Sequence, residues 1–250
     1  MIKIIAFSDP HGQLPAINEP FDLMLICGDI CPAHDHFNWY QREWLSTTFV
    51  EWVLGLPFKD KESKVIFIGG NHDRYLDEEP NPNQGYSSIY TDVIKPCGGR
   101  LVYLEDDEYI FEKETEDGKT ESLKIYGTPW CKIFGRWWFM RDDRKLEQLY
   151  DNIPEGLDIL MTHDMPDIQG CAKITLGPWA GENAGNSVLA AAIKKKEPKL
   201  VLSGHIHSAS HTLTKVYKKD TRFRCVSILD EDYYSLYEPY VFTMEGHVKE

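Results

Sequence analysis

Five short apolar runs, each breaking off into a carboxylate, an amide or an imidazole, constrain this chain more than any other feature. The first, Ile4-Ile5-Ala6-Phe7, passes through Ser8 into Asp9-Pro10-His11-Gly12. Leu23-Met24-Leu25-Ile26-Cys27 meets Gly28-Asp29, and Val65-Ile66-Phe67-Ile68 meets Gly69-Gly70-Asn71-His72-Asp73. Further on, Leu157-Asp158-Ile159-Leu160-Met161-Thr162 ends in His163-Asp164, and Leu200-Val201-Leu202-Ser203-Gly204 ends in His205-Ile206-His207. Short runs rich in branched and bulky residues read as buried strands, so each delivers polar groups at its carboxyl end. Taken singly, every motif has an ordinary reading: Asp, Pro and Gly form turns, and Asn and Asp tolerate left-handed backbone. Their recurrence in order, always after a strand, argues for one shared site.

Length and composition set the frame. A chain of 250 residues with 42% hydrophobic and 12% aromatic residues can bury a sizeable core. The five strand ends spread along it favour one domain over residues 1–250 rather than two. A formal net charge of -13 argues against a nucleic-acid partner, because phosphate backbones are met by clustered Lys and Arg. It does not argue against a small phosphate ester held by metal ions, whose own charge dominates locally. Lys3 is followed only by a short apolar run before Asp9, and no run is long enough to cross a bilayer, so a soluble, cytoplasmic protein is expected. The cysteines at 27, 31, 97, 131, 171 and 225 form no CxxC pair and read as free structural thiols. A Cys27–Cys31 redox pair is the sharper alternative.

Between the motifs, residues 31–36 read as a loop, with His34 and His36 in solvent. Helices are expected over residues 40–54, 141–150 and 186–196, the last ending in Lys194, Lys195 and Lys196, whose charge suits a helix C-terminus. Pro80-Asn81-Pro82-Asn83-Gln84-Gly85 reads as a loop. Residues 101–104, 109–111 and 123–126 suggest a β-meander with a charged hairpin tip between residues 112 and 121. Residues 212–217, 223–228 and 240–244 suggest three short strands. The aromatic stretch from Trp130 through Arg136, Trp137 and Trp138 is either core or the wall of a substrate pocket.

Strands alternating with helices or long connections suit an α/β fold, in which ligands collect at the carboxyl ends of the strands. That rim would carry Asp9, His11, Asp29, Asn71, His163, His205 and His207. So many nitrogen and oxygen donors, with no thiolate, suit two ions such as Mn, Fe or Zn about 3.5–4 Å apart. Asp29, alone after a glycine that lets the backbone approach closely, is the expected bridge. The ions would lower the pKa of a bridging water and supply hydroxide for in-line attack on phosphorus. His72 is the expected acid for the leaving alkoxide, and Asp73 is expected to orient its ring or backbone.

These motifs resemble the calcineurin-like metallophosphoesterase superfamily, whose signature is Asp-x-His, Gly-Asp, Gly-Asn-His-(Asp/Glu), a histidine after a later strand, and Gly-His-x-His. Thr162-His163 stands where many members have Gly-His, which leaves the ligand in place. The resemblance covers essentially the whole chain and implies a four-layer αββα sandwich of two mixed sheets flanked by helices. It also implies that one metal takes Asp9, His11, Asp29 and His207, and the other Asp29, Asn71, His163 and His205, with His72 as acid. After Gly28-Asp29 the chain has Ile30-Cys31-Pro32-Ala33 in place of the Val-Asp-Arg-Gly-like run of phosphoprotein phosphatases, which argues against that activity. Residues 49–57, 125–130 and 153–160 are similar to the metallophosphoesterase-domain (MPPED) group, related to class III cyclic-nucleotide phosphodiesterases. That similarity implies phosphodiester hydrolysis with Mn²⁺, 2′,3′-cyclic nucleotides included.

Three rival functions use the same residues: a phosphomonoesterase, a nuclease, and a binding or scaffold protein with an impaired site. Trp130 and Arg136 are the expected substrate contacts. Oligomeric state is left open, a homo-oligomer included.

Overall fold

The computed structural model describes residues 1–77, 89–115, 117–216 and 220–249, so the expected loop at 80–85 lies outside the described residues. Two mixed sheets carry the fold. In the first, β1 (Ile2–Phe7), β2 (Leu23–Cys27), β3 (Lys64–Ile68) and β4 (Leu101–Tyr103) run parallel in that order. The second has β5 (Asp107–Glu114) paired with β6 (Thr120–Thr128). Beside β6 lie β9 (Ile159–Thr162), β10 (Leu200–Ser203) and β12 (Arg222–Cys225), parallel from β6 to β12. Antiparallel strands flank both: β13 (Tyr240–Met244) on β1 in the first sheet, and β11 (Thr214–Lys215) on β12 and β14 (His247–Lys249) on the start of β6 in the second. A two-stranded piece, β7 (Cys131–Lys132) with β8 (Met140–Arg141), lies between β6 and the next helix.

The apolar runs have no polar face because both of their faces are covered. Alternate residues Ile2, Ile4 and Ala6 of β1, Leu23 and Leu25 of β2 and Ile66 of β3 meet Leu123, Ile125, Ile159, Met161, Leu200 and Leu202 of the other sheet in an inner core. The intervening residues Ile5, Phe7, Met24, Ile26 and Phe67 point outward. There they meet Leu45, Phe49 and Val53 on a helical stretch made of α1 (Asn38–Trp44), a π-turn Leu45–Phe49 and α2 (Val50–Leu54). A single turn, α3 (Arg74–Asp77), follows the third motif. The outer face of the second sheet is covered by α4 (Asp143–Asp151) and α5 (Ser187–Lys196), through Leu146, Tyr150, Leu189 and Ile193. The four layers are therefore helix, sheet, sheet, helix.

The expected meander is the fold's clearest departure. β4 pairs parallel with the preceding strand β3 instead of antiparallel with β5, and only β5 and β6 form a hairpin. A left-handed turn at Asp106 (φ 51°) carries the chain from one sheet to the other. Apolar patterning marks these strands correctly but is silent on which sheet each joins. The first helix begins at Asn38, ahead of the expected start, and β14 carries no sequence signal strong enough to read. All six cysteines are buried and free. Among the described residues, no helix is long and apolar enough to cross a membrane.

Candidate metal centre

The carboxyl ends of β1, β2, β3, β9 and β10 meet where the two sheets touch. Ser8 joins them, its N–H donating to Val226 O at 2.8 Å and its carbonyl accepting from Ile228 N at 3.1 Å. The turns that follow hold unusual backbone: Asp9 (φ 55°), His11 (43°), Asp29 (53°) and His205 (70°) are all left-handed without being glycine. Such residues cost on the order of 1 kcal/mol each and concentrate at functional sites. Neighbouring turns restrain them, with Asp9 N donating to Gly28 O at 3.0 Å and His11 N to Asp29 O at 3.0 Å. Gly28 (φ 94°) has no alternative, since a Cβ there would lie 2.5 Å from Gly69 O and 2.6 Å from His163 Nδ1.

These turns bring the donor atoms together. His11 Nε2 lies 3.3 Å from His207 Nε2, and His207 Nε2 lies 3.4 Å from Asp9 Oδ1. On the other side, His163 Nε2 is 3.1 Å from Asn71 Oδ1. Asp29 Oδ2 stands between the halves, 3.7 Å from His11 Nε2 and 3.3 Å from His163 Nε2. His205 flanks the second half, its ring 5.2 Å from that of His163. Cys131, absent from the sequence reading of the donor set, places its sulfur within 4.8 Å of ring nitrogens of His163 and His205. The far nitrogens are tied to backbone oxygens, His163 Nδ1 to Cys27 O at 2.9 Å and His207 Nδ1 to Asp230 O at 2.8 Å. Ser227 Oγ donates to Asp9 Oδ2 at 2.7 Å. Such outer contacts fix ring orientation in metal sites.

The electrostatics fit cations. Burial disfavours charge on Asp9 and Asp29, but the surrounding histidines more than offset it and hold both carboxyls below their usual range. Burial also opposes charge on His163 and His207, yet Asp29 lifts His163 to about 10 and Asp9 lifts His207 to about 9. Two buried carboxylates thus create a potential that demands positive charge. Burial drives His11 down to about 3 and also lowers His205, which keeps those rings neutral and available as ligands. Carboxylate, imidazole and amide oxygen in two groups sharing Asp29 are a donor set that two divalent ions would satisfy.

His72 borders the cluster. Its N–H donates to Asp29 Oδ1 at 2.7 Å, its carbonyl accepts from Gln41 Nε2 at 2.7 Å, and its ring lies 5.0 Å from that of His11. Burial lowers its pKa. Of the two roles expected for Asp73, it takes the one on the backbone of this turn and not the one on the ring. Its carboxylate accepts from Ile30 N (3.1 Å), Cys31 N (2.8 Å) and Gly70 N (2.9 Å), locking the turns after β2 and β3 together, and makes no hydrogen bond to the His72 ring.

The expected pocket wall divides. Trp130 belongs to the core: it is 7% exposed, donates to Asp106 and packs under the Arg141 guanidinium, 4.2 Å from its ring centre. Arg136 is exposed, with no hydrogen bond or ion pair among the described residues. Trp137 does reach the site, 4.4 Å from the His72 ring, and Trp138 stacks on His36 at 5.6 Å. The loop reading holds for His34, which is exposed and meets Tyr40, but not for His36, whose Nε2 lies 2.9 Å from His72 Nδ1. Sequence reasoning also passed over Gln41, Ser227 and Tyr233. The only signal for Gln41 is a polar residue on an apolar helical face, where it is fully buried.

An α/β sandwich gathers histidines and carboxylates at the junction of its sheets, a donor set of the kind that divalent ions take. The calcineurin-like phosphoesterase family model matches residues 2–209, and the chain belongs to that family. Human metallophosphoesterase domain-containing protein 1 is 26% identical over 220 residues, covering 82% of this chain and 60% of that protein. The chain therefore spans less than two thirds of that relative. A UPF0046 protein of Caenorhabditis elegans is 27% identical over 254 residues, covering 96% of this chain and 80% of its own length. Among solved structures, phosphopantetheinyl hydrolase from Mycobacterium tuberculosis superposes with a TM-score of 0.52 at 14% identity, covering 92% of this chain and 90% of that one, a likeness of fold alone.

Proposed function

We propose that this chain is a binuclear metallophosphodiesterase acting on small esters of the cyclic-nucleotide type, loaded with Mn²⁺, or with Fe or Zn in its place. The observation that carries it is Asp29 Oδ2, positioned between His11 Nε2 at 3.7 Å and His163 Nε2 at 3.3 Å, as a shared ligand must be. Asp9, His11, Asp29 and His207 would hold one ion, and Asp29, Asn71, His163 and His205 the other. Bound there, divalent ions polarise a phosphoryl oxygen and lower the pKa of a coordinated water. His72 donates a proton from Nε2 to the leaving oxygen, and Asp73 and Gln41 keep its turn in place.

The diester preference draws on what lies around the centre. A cleft of about 580 Å³ opens beside His11, lined by Gln13, His34, Tyr40, Trp44 and Tyr233, with no Lys or Arg in its wall among the described residues. A doubly charged monoester would favour such a cation; a singly charged diester with two organic arms has less need of one. Three exposed rings border the histidines: Tyr233 4.7 Å from His11, Trp137 4.4 Å from His72 and Phe134 5.0 Å from His205. Their faces suit a planar ring such as a nucleobase. The net charge of -13 supports a small ester over nucleic acid and a cytoplasmic setting over an anionic membrane surface. Core clusters that each draw on both sheets support a single domain over residues 1–250.

The test is hydrolysis of bis-p-nitrophenyl phosphate beside p-nitrophenyl phosphate by metal-stripped protein reloaded with Mn²⁺. Preference for the diester is the expected result and leads to a cyclic-nucleotide panel. Preference for the monoester would make the chain a phosphomonoesterase, and metal binding without hydrolysis of either would favour a scaffold.

A further inference from the structure

His36 is a histidine that the phosphodiesterase reading leaves without a task, yet it touches the proposed acid. We propose that His36 is a positioning residue for His72, holding that ring by its Nδ1 edge so that Nε2 faces the leaving group. The inference rests on the reading of His72 as the acid.

The geometry separates what is already fixed at His72 from what is not. Asp29 and Gln41 pin its main chain from both sides, each at 2.7 Å. Neither restrains the rotation of the imidazole. His36 supplies that restraint, with its Nε2 2.9 Å from His72 Nδ1. Nε2 of His72 makes no hydrogen bond among the described residues, so the second nitrogen is left for substrate. The partner ring is itself held. It stacks on Trp138 at 5.6 Å with planes 21° apart and meets the edge of Trp137 at 5.3 Å, while Arg74 lies over Trp138, 5.3 Å from its ring centre. His36 precedes α1, and α1 carries Gln41, so one short stretch of chain fixes both the backbone and the ring of His72.

The proton balance is simple. The acid form of His72 carries hydrogen on both nitrogens, and Nδ1–H donates to the unprotonated Nε2 of His36, whose own hydrogen sits on Nδ1. The Nε2–H bond of His72 breaks as the O–H bond of the leaving alcohol forms. His72 keeps Nδ1–H throughout, and His36 takes up no proton.

Two substitutions separate the hydrogen bond from the packing. His36→Phe keeps a ring against Trp138 and removes the nitrogen; His36→Gln keeps a hydrogen-bonding end at similar reach and removes the ring. Both are expected to retain the wild-type metal content. His36→Phe should slow diesters of alkyl alcohols about 10-fold more than p-nitrophenyl diesters, a share of the roughly 10²- to 10⁴-fold that a positioned acid contributes. His36→Gln should recover most of that loss. The second readout is long-range ¹H–¹⁵N NMR of the zinc-loaded protein. A single His72 tautomer is expected in wild type and His36→Gln, and a mixture in His36→Phe.

Three results would overturn the proposal: leaving-group dependence unchanged in His36→Phe, equal losses on all esters in both variants, or one His72 tautomer in all three proteins. If His72→Ala itself shows no dependence on the leaving group, the acid assignment fails, and the NMR comparison still decides whether His36 orients the ring.

Discussion

Asp29 serves three neighbours, accepting the His72 amide through Oδ1 at 2.7 Å and facing His11 and His163 through Oδ2. His72 touches the same carboxylate only through its backbone, so the two residues should part in experiment. His72→Ala is expected to keep its metals and to slow esters with poor leaving groups most; loss of metal in that variant would contradict its role as acid. At Gly204 the constraint is steric, because a Cβ would overlap Ser8 Oγ and Asp9 Oδ2. Gly204→Ala should weaken metal binding and lower stability by about 1–3 kcal/mol, read by metal titration and thermal unfolding. That the seven residues expected as ligands, from Asp9 to His207, gather in one place was legible because each stands at or just past the end of an apolar run. The partners of Asp73 and the reach of His36 were not legible, for one shared reason. Their partners, the Ile30 and Cys31 amides and the His72 ring, are about forty residues away in sequence, beyond the reach of any local pattern.

At the scale of elements, strands β1, β2, β3, β9 and β10 were readable from their unbroken apolar runs, whereas the sheet that β4 joins was not. Local sequence favours pairing with the next strand, but β4 aligns with β3, Leu101 opposite Val65. One buried ion pair bears on how the two sheets are joined. Asp22, just ahead of β2, accepts from Lys3 N at 2.7 Å and from Lys113 Nζ of β5 at 2.6 Å, and is 1% exposed. Burial alone would raise its pKa, but Lys113 and the Lys3 amide more than offset it and hold it below the usual value. A carboxyl whose folded pKa is depressed contributes stability above its unfolded value, roughly pH 4, and loses it as pH falls through the folded value. Asp22→Asn should therefore cost about 1–3 kcal/mol at pH 7, with the gap from wild type narrowing below pH 4 in urea unfolding. A gap that stays constant with pH would place its origin in packing.

The whole molecule is built so that its centre belongs to neither sheet. Asp9, His11, Asp29 and Asn71 follow strands of the first sheet, and His163, His205 and His207 follow strands of the second. Ions held between them would bind the folded chain and not the unfolded one, so metal loading should raise the melting temperature and a chelator should lower it. That dependence should vanish in Asp29→Ala. An α/β fold was legible from strand ends and their spacing and its four layers only through the family resemblance, while the aromatic border was legible only as composition, with Trp130 drawn into the core and Trp137 left at the site.

Metal content tests the shared centre most directly. Elemental analysis of purified, Mn²⁺-loaded protein should find about two ions per chain in wild type, about one in His207→Ala and in Asn71→Ala, and close to none in Asp29→Ala. A single ion per chain in wild type, or full metal content in Asp29→Ala, would contradict a binuclear site bridged by that carboxylate.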